Sequence, residues 1–367
     1  MTGGTAWRQV RRRLDWTLLL VTLTIVGLGL VNLYSATSHA PKRGLLSQQV
    51  LWLIVSGVAC CVLAVLDYRL WLRVAWVLLV VGMLAVIAVH FFGIAVKGSR
   101  RWLGFGSMRG QPSEFIKLAV IIALARFVHD RGASANWWMG VAAPIAAFIS
   151  TIVLIAWQPD LGTATLVALV CLSVAALSAN RLWPIAATVG AVALAAPPIW
   201  AYVLRDYQKR RILTFVDPSA DPSGAGWQSR QSILAVGSGR WAGKGFLHGT
   251  QNQLNFLPEQ WTDFPFSVWA EEWGFLGSVV MLALYFVLVL WIINIASQAR
   301  DRFGAALCLG VGAMLFWQVV VNIGMVIGLA PVVGVTLPLA SYGGSSVLTV
   351  FMGIGLVGSV SLRRYAR

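Results

Sequence analysis

Long apolar segments of about twenty residues recur along almost the whole chain, and they constrain the fold more than any other feature. A hydrocarbon core of about 30 Å is crossed by about 20 residues of α-helix, because each residue advances the helix by about 1.5 Å. The predicted fold class is therefore all-α, a polytopic membrane helical bundle with about ten transmembrane helices. The predicted spans are residues 16–36, 50–66, 73–92, 114–128, 138–157, 161–179, 182–204, 266–296, 303–329 and 342–362.

The composition favours one bundle over several water-soluble domains. Hydrophobic residues make up 58% of the 367 residues, and charged residues only 11%, whereas soluble domains contain about 25% charged residues. We therefore predict a single membrane domain, residues 1–367, with one long extracytoplasmic loop at about 205–265 between the seventh and eighth spans. The four cysteines lie inside apolar runs without C-x-x-C spacing, so neither disulfides nor a metal site is predicted.

Basic residues near the chain ends set the predicted orientation. Arg8 and Arg11–Arg13 precede the first span, and Arg363 and Arg364 follow the last. Because cytoplasmic loops of membrane proteins are enriched in Lys and Arg, both termini are predicted to be cytoplasmic. Topology and anionic lipid then account for the net charge of +15, and no nucleic-acid partner is predicted.

Two loops on the predicted outer side carry basic residues against this preference. The segment 93–113 contains Lys97, Arg100, Arg101 and Arg109 and no acid, and the long loop contains seven basic residues. Long loops cross the membrane largely regardless of charge, but short loops do not. The basic short loop therefore indicates an anionic partner at the outer face.

An ionisable pair lies at the start of the fourth span. Ser113 is a candidate N-cap there, and Glu114 would favour the positive helix end. These structural roles do not account for Lys117, which lies one turn further into an apolar run. Residues three apart share a helix face, and charged residues within spans commonly line cavities. We therefore favour a functional role for Glu114 and Lys117 over a merely structural ion pair.

Two aspartates stand where predicted helices begin. For Asp160, in a tight turn before the sixth span, an N-cap is the favoured interpretation. For Asp263, before the eighth span, an N-cap and a general base are evenly balanced. Glycines flank Lys244 and could bring backbone N–H groups to an anion, but the spacing is not that of a P-loop. A simple glycine-rich turn explains that segment at least as well.

Further interpretations concern two neighbouring segments. Glu271 and Glu272 lie in the eighth span and are interpreted either as helix-dipole partners or as groups that bond to neighbouring helices. The uncharged segment 331–346 is rich in Gly and Pro and is predicted to dip back into the membrane. Irregular backbone at that depth must be buried in protein or line a cavity.

Taken in order, these segments resemble the shape, elongation, division and sporulation family of bacterial cell-wall polymerases. The resemblance covers nearly the whole chain after the first dozen residues, and GKGFLHGTQ at 243–251 is similar to the elongation branch. It departs from the family at Trp261, where histidine is frequent. The segments that carry it are KGSRRWL at 97–103, QPSE at 111–114, QPDLGT at 158–163, DP at 217–218, FLPE at 256–259, TDF at 262–264, AEE at 270–272 and PLASYGG at 338–344.

The resemblance implies a peptidoglycan glycosyltransferase that polymerises lipid II, a disaccharide-pentapeptide on undecaprenyl diphosphate, outside the bacterial cytoplasmic membrane. It implies that Asp263 is the essential carboxylate, and that Glu114, Lys117 and Asp160 line a cavity beneath it. Asp263 would accept the proton of the acceptor 4-hydroxyl, and cations would stabilise the departing diphosphate. The candidate cations are Lys97, Arg100, Arg101, Arg210, Arg211 and Lys244.

The implied partners are lipid II, the nascent glycan strand, a class B penicillin-binding protein that crosslinks the strands, and other membrane proteins of the elongation machinery. No cofactor is predicted, although a divalent cation could share the diphosphate. Without a Rossmann-type glycine motif, a nucleotide-sugar donor is not supported. Two alternatives remain open: a lipid II flippase, which intramembrane Glu114 and Lys117 would suit, and a non-enzymatic scaffold for the penicillin-binding protein.

Overall fold

The protein is described here by a computed structural model. The described residues are 15–38, 44–96, 99–105, 108–130, 143–158, 160–179, 190, 201, 206–217, 221, 224–254 and 256–364. Their helices are α1 (Trp16–Thr37), α2 (Leu45–Val65), α3 (Arg69–Phe92), α4 (Pro112–His129), α5 (Ala143–Trp157), α6 (Leu161–Ala179), α7 (Asp206–Val216), α8 (Ala225–Ser238), α9 (Thr250–Gln253), α10 (Pro265–Ser297), α11 (Arg302–Val326) and α12 (Gly344–Arg363). Their strands are β1 (Ile94–Val96), β2 (Ser99–Phe105) and β3 (Met108–Gly110).

The all-α membrane bundle is confirmed. Nine of the ten predicted spans coincide with helices α1 to α6 and α10 to α12. The other span, 182–204, lies outside the described residues apart from 190 and 201. Among the described residues, α1, α2, α3, α10, α11 and α12 are long and apolar enough to cross a membrane, whereas α5 and α6 are shorter apolar helices.

The segment predicted as a basic loop at 93–113 contains a small antiparallel sheet in the order β1-β2-β3. Ile94 pairs with Trp102 across the first hairpin, and Leu103 pairs with Gly110 across the second. Strands β1 and β3 have only three residues each, and the sequence of β2, SRRWLGF, does not alternate polar and apolar residues, which is why the sequence did not reveal them.

The starts of two helices differ from the sequence-based expectation. The N-cap of α4 is Gln111, and Ser113 lies inside the first turn, so the assignment of Ser113 as the cap was wrong. The N-cap of α10 is Phe264, with Pro265 at the first helical position, so Asp263 is not the cap of that helix. The N-cap of α4 lies two residues before Ser113 and that of α10 one residue after Asp263, which leaves both polar side chains for other contacts.

Most of the stretch from Val335 to Ser341, in the uncharged segment before α12, is buried in protein, which is one of the two settings that the sequence analysis allowed for irregular backbone there. Side chains from three helices satisfy its carbonyl groups, which otherwise would be unpaired in the bundle. Tyr285 Oη donates to the Pro338 carbonyl (2.6 Å), and Gln49 Nε2 donates to the Ser341 carbonyl (3.2 Å). The segment thereby closes one end of the bundle, which we call the Asp263 end.

Candidate active site

Asp263 lies in the turns that lead into α10. Its backbone N–H donates to the Glu259 carbonyl (3.0 Å), and its side chain is half-buried. Gly334, which has a φ of +75°, lies against the carboxylate: a Cβ added to it would stand 3.5 Å from Asp263 Oδ2. Asp263 does not cap α10, so the N-cap interpretation is wrong. The other interpretation, a general base, remains.

A residue that the sequence analysis missed holds this arrangement together. Asn322 of α11 is fully buried, and its Nδ2 donates to the Asp263 carbonyl (2.9 Å) and to the Val335 carbonyl (2.7 Å). One amide thus ties the segment that carries Asp263 to the segment that carries Gly334. A polar side chain inside the otherwise apolar span was the signal that could have identified it.

Glu114 and Lys117 form the ion pair that their spacing predicted. Lys117 Nζ lies 2.9 Å from Glu114 Oε2, and the exposed fractions of the two side chains are only 3% for Lys117 and 11% for Glu114. Two opposite charges so deeply buried stabilise a fold little, because desolvation offsets their attraction. The pair is therefore a candidate for function.

Asp160 has both a capping role and a wider one. Its Oδ1 accepts from the backbone N–H of Thr163 (3.3 Å), which confirms it as a cap of α6. Its Oδ2 accepts from Ser113 Oγ (2.8 Å) and from Gln111 Nε2 (3.1 Å). Asp160 therefore joins the beginnings of α4 and α6.

The polar residues extend from there to α12 and to the segment that touches Asp263. The Gln111 N–H donates to Ser345 Oγ (3.1 Å), at the start of α12. The Thr336 and Ser346 hydroxyls are 2.7 Å apart, so the segment that carries Gly334 is bonded to the same helix. The structure thus brings Glu114, Lys117 and Asp160 to the end of the bundle that holds Asp263.

The candidate cations differ in exposure and in their bonding partners. Lys97 and the side chain of Arg100 lie outside the described residues, although the backbone of Arg100 belongs to β2. Arg101 is half-buried in β2, while in α7 Arg210 is exposed and Arg211 half-buried. Lys244 forms a 2.6 Å ion pair with Glu271 and donates to Thr250 Oγ1 (2.8 Å).

Helix α10 has a kink where the segment before α9 meets it. Gly274 takes a φ of +64° and a ψ of −159°, and this breaks the helical hydrogen bonding. The N–H groups of Lys244 and Gly245 donate instead to the carbonyls of Glu271 (2.9 Å) and Glu272 (3.0 Å). The helix uses these two N–H groups, so the interpretation of the glycine-flanked lysine as an anion loop was wrong.

The two glutamates of α10 bond to neighbouring elements, the second of the two interpretations left open. Glu271 and Glu272 are almost completely buried. Glu271 Oε1 accepts from Lys244, and Glu272 Oε1 accepts from Ser35 Oγ of α1. Both carboxylates therefore hold elements against the kinked helix.

An apolar groove of about 560 Å³ runs beside the polar residues. Helices α2, α3, α4 and α12 and strand β2 line it, with Trp52, Trp71, Leu78, Phe115 and Met352 among its walls. Its lining includes Ser345, which bonds to Gln111 of the polar set. Within the described residues, no group of three His, Cys, Asp or Glu side chains could hold a metal ion.

Comparison with known proteins agrees with this architecture. The sequence profile of the cell cycle protein family FtsW/RodA/SpoVE matches residues 15–366. The chain belongs to this family. It is 40% identical over 360 residues to the peptidoglycan glycosyltransferase MrdB of Escherichia coli K12, with 98% of this chain and 96% of MrdB covered. It is 34% identical over 370 residues to the stage V sporulation protein E of Bacillus subtilis 168, with 96% and 98% covered.

Solved structures of the FtsW/RodA/SpoVE family share the fold. RodA of Thermus thermophilus, a rod shape determining protein, superposes with a TM-score of 0.72 at 30% identity, covering 96% of this chain and 98% of that one. A chain from a peptidoglycan synthase complex, solved to explain the coordination of polymerization and crosslinking, gives a TM-score of 0.81 at 32% identity, covering 96% and 99%.

Proposed function

We propose that this chain is a peptidoglycan glycosyltransferase that polymerises lipid II, with Asp263 as the general base. The observation that carries the assignment is the setting of Asp263. Its carboxylate is half-buried beside Gly334, and Asn322 fixes its backbone. The activity is the one for which MrdB and other relatives are named.

The reaction follows from these positions. The Asp263 carboxylate accepts the proton of the acceptor 4-hydroxyl as its oxygen attacks the anomeric carbon of the donor sugar. The new C–O bond forms while the bond from the anomeric carbon to the diphosphate oxygen breaks. The electron pair leaves with the lipid diphosphate, and the protonated Asp263 returns its proton to water.

The surroundings support a lipid-linked donor. The apolar groove would take part of a polyprenyl chain, and the polar residues beside it would meet the head group. We assign substrate binding to Glu114, Lys117 and Asp160. Stabilisation of the leaving diphosphate falls to the basic residues Lys97, Arg100, Arg101, Arg210 and Arg211. Lys244 is left out of this set because Glu271 already neutralises it.

The expected setting is the bacterial cytoplasmic membrane, with both termini cytoplasmic and Asp263 facing outward. We propose a class B penicillin-binding protein as the partner that crosslinks the new strands. One of the structural neighbours belongs to a synthase complex that combines polymerization with crosslinking, which supports this pairing.

The test is polymerisation of labelled lipid II by the purified protein together with its penicillin-binding partner. Asp263→Asn, which removes the base while keeping the shape, should lower the rate by about 10²-fold or more. Asp67→Asn is the control, because Asp67 is a half-exposed aspartate between α2 and α3, at the end of the bundle opposite Asp263. Unchanged polymerisation by Asp263→Asn would refute the mechanism. Transport of lipid II without polymer would favour the flippase.

A further inference from the structure

Two neighbouring helices, α11 and α12, each carry a buried polar side chain that has no hydrogen-bond partner among the described residues. Gln318 of α11 and Thr349 of α12 are completely buried. Gln318 Oε1, Gln318 Nε2 and Thr349 Oγ1 have no hydrogen-bond partner among the described residues. Buried polar atoms in folded proteins are almost always paired, either with protein or with ordered water.

Helical spacing places both side chains at the level of Glu114. Toward the far end of the bundle, α4, α11 and α12 meet around Gly353, where an added Cβ would lie 3.5 Å from Leu118 Cδ2 and 3.6 Å from Met314 Cε. Toward the Asp263 end, α4 and α12 meet again where the Gln111 N–H donates to Ser345 Oγ.

The level of Glu114 lies between these two contacts, about one helical turn from each of them. Gln318 lies four residues beyond Met314, Thr349 four before Gly353, and Glu114 four before Leu118. Residues three or four apart share one helix face, so the three side chains approach the same space from three helices. Glu114 itself belongs to the buried ion pair with Lys117, so the pair lies at the same level.

We propose that Gln318 and Thr349 bind ordered water, and that this water solvates the Glu114–Lys117 pair. The amide and the hydroxyl each donate and accept, and a buried water needs two to four polar partners. The carboxylate and the ammonium group of the pair supply further hydrogen-bonding capacity. The site thus satisfies the unpaired atoms and lowers the desolvation cost of the pair.

The proposed site has a consequence that rests on the proposed function. When water solvates the ion pair, Lys117 can leave Glu114 and bind an incoming phosphate oxygen more readily than it could without water. Gln318 and Thr349 then act as positioning residues for Lys117, and Gln318→Leu should slow lipid II polymerisation. The binding of water itself is tested without substrate, so its failure is distinguishable from a failure of the glycosyltransferase assignment.

The first test is radiolytic labelling of the intact protein in ¹⁸O water. Met314, fully buried next to the proposed water, should be oxidised by radicals formed from it. Met281 of α10, equally buried among apolar side chains, is the matched control. Labelling of Met314 several-fold above Met281, lost in Gln318→Leu with Thr349→Val, is the expected result. Equal labelling of the two methionines would overturn the proposal.

The second test compares thermal unfolding in two backgrounds. Gln318→Leu should lower the unfolding midpoint when Glu114 and Lys117 are charged, since the pair loses its water. It should not lower the midpoint in the neutral background Glu114→Gln with Lys117→Met. A similar rise of the unfolding midpoint in both backgrounds would mean that Gln318 has no hydrogen-bond partner at all, because removing an unpaired buried polar group stabilises the fold. That result would overturn the proposal.

Discussion

At the scale of single residues, one amide joins two segments that the chain separates. Asn322 donates to the carbonyl of Asp263, fifty-nine residues away in sequence, and to that of Val335. Its position on α11 gives Asp263 a rigid support, because the helix is packed on several sides. A catalytic carboxylate needs such support, since an error of about 1 Å can lower a rate by 10²-fold.

Replacing Asn322 by Asp keeps the shape but removes the donating amide. The carboxylate oxygen that replaces the amide would repel the carbonyl oxygens of Asp263 and Val335. The segment with Asp263 would then move away from the segment with Gly334. We expect polymerisation to fall by about 10- to 100-fold. The measurement is kcat and KM for lipid II, with the loss mainly in kcat.

The control for this variant is Asn294→Asp, at the other end of α10, where the side chain accepts from Gln298 within the same helix end. It should polymerise at nearly the rate of the unaltered protein. A full rate in Asn322→Asp would mean that the amide does not position Asp263.

At the scale of elements, the break in α10 depends on the segment that follows α8. The N–H of Phe275, freed by the kink, donates to the Arg240 carbonyl (2.8 Å), and two N–H groups of the segment donate back to α10. The Lys244–Glu271 ion pair seals this junction. The helix and the segment therefore complete each other's hydrogen bonds, and neither conformation would persist alone.

Gly243→Ala should weaken this junction. Gly243 has a φ of +80°, and an added Cβ would overlap the Glu272 carbonyl oxygen. Alanine at a positive φ destabilises by more than about 1 kcal/mol, and the overlap adds to this. We expect a lower unfolding midpoint and faster proteolysis near residue 243.

Gly237→Ala is the matched control, because Gly237 lies in α8 and an added Cβ meets nothing within 4 Å. It should be neutral or stabilising by about 0.5–1 kcal/mol, as alanine favours helix. If Gly243→Ala and Gly237→Ala changed the unfolding midpoint equally, the contact between the segment and α10 would not depend on a glycine at position 243.

At the scale of the whole molecule, the end opposite Asp263 is closed by charged residues from distant parts of the chain. Asp15 accepts from Trp291 Nε1 (2.6 Å), Ser361 Oγ (3.2 Å) and Arg364 Nη2 (3.2 Å). Tyr68 Oη donates to Asp301 Oδ2 (2.8 Å). The bonds of Asp15 fasten α1, α10 and α12 together, and the bond from Tyr68 to Asp301 joins the beginnings of α3 and α11.

The pKa of Tyr68 is raised to about 12, first because its phenol is buried and then because Asp301 accepts its proton and opposes a second negative charge. A raised pKa means that the stabilisation is complete below about pH 10, the ordinary value, and is lost as the pH rises through 12. The difference in unfolding midpoint between the unaltered protein and Tyr68→Phe should therefore be constant up to about pH 10 and shrink above it. A difference that stays constant to pH 12 would contradict this coupling.

The sequence by itself determined the spans, and it predicted the pairing of Glu114 with Lys117. Both depend on local properties: a span needs about twenty apolar residues, and two residues three apart on a helix share a face. That the segment before α12 is either buried in protein or lines a cavity followed in the same way from its lack of charge. The motifs also predicted the family, which comparison of the whole chain established.

Only the tertiary structure decided the surroundings of these residues. The support of Asp263 by Asn322 and the ion pair of Lys244 with Glu271 each join segments that are far apart in sequence. The burial of Gln318 and Thr349 without hydrogen-bond partners among the described residues likewise depends on tertiary packing. Helix starts shifted by one or two residues also removed Ser113 and Asp263 from capping roles. Local propensity cannot fix such contacts, because they depend on how complete helices pack against one another.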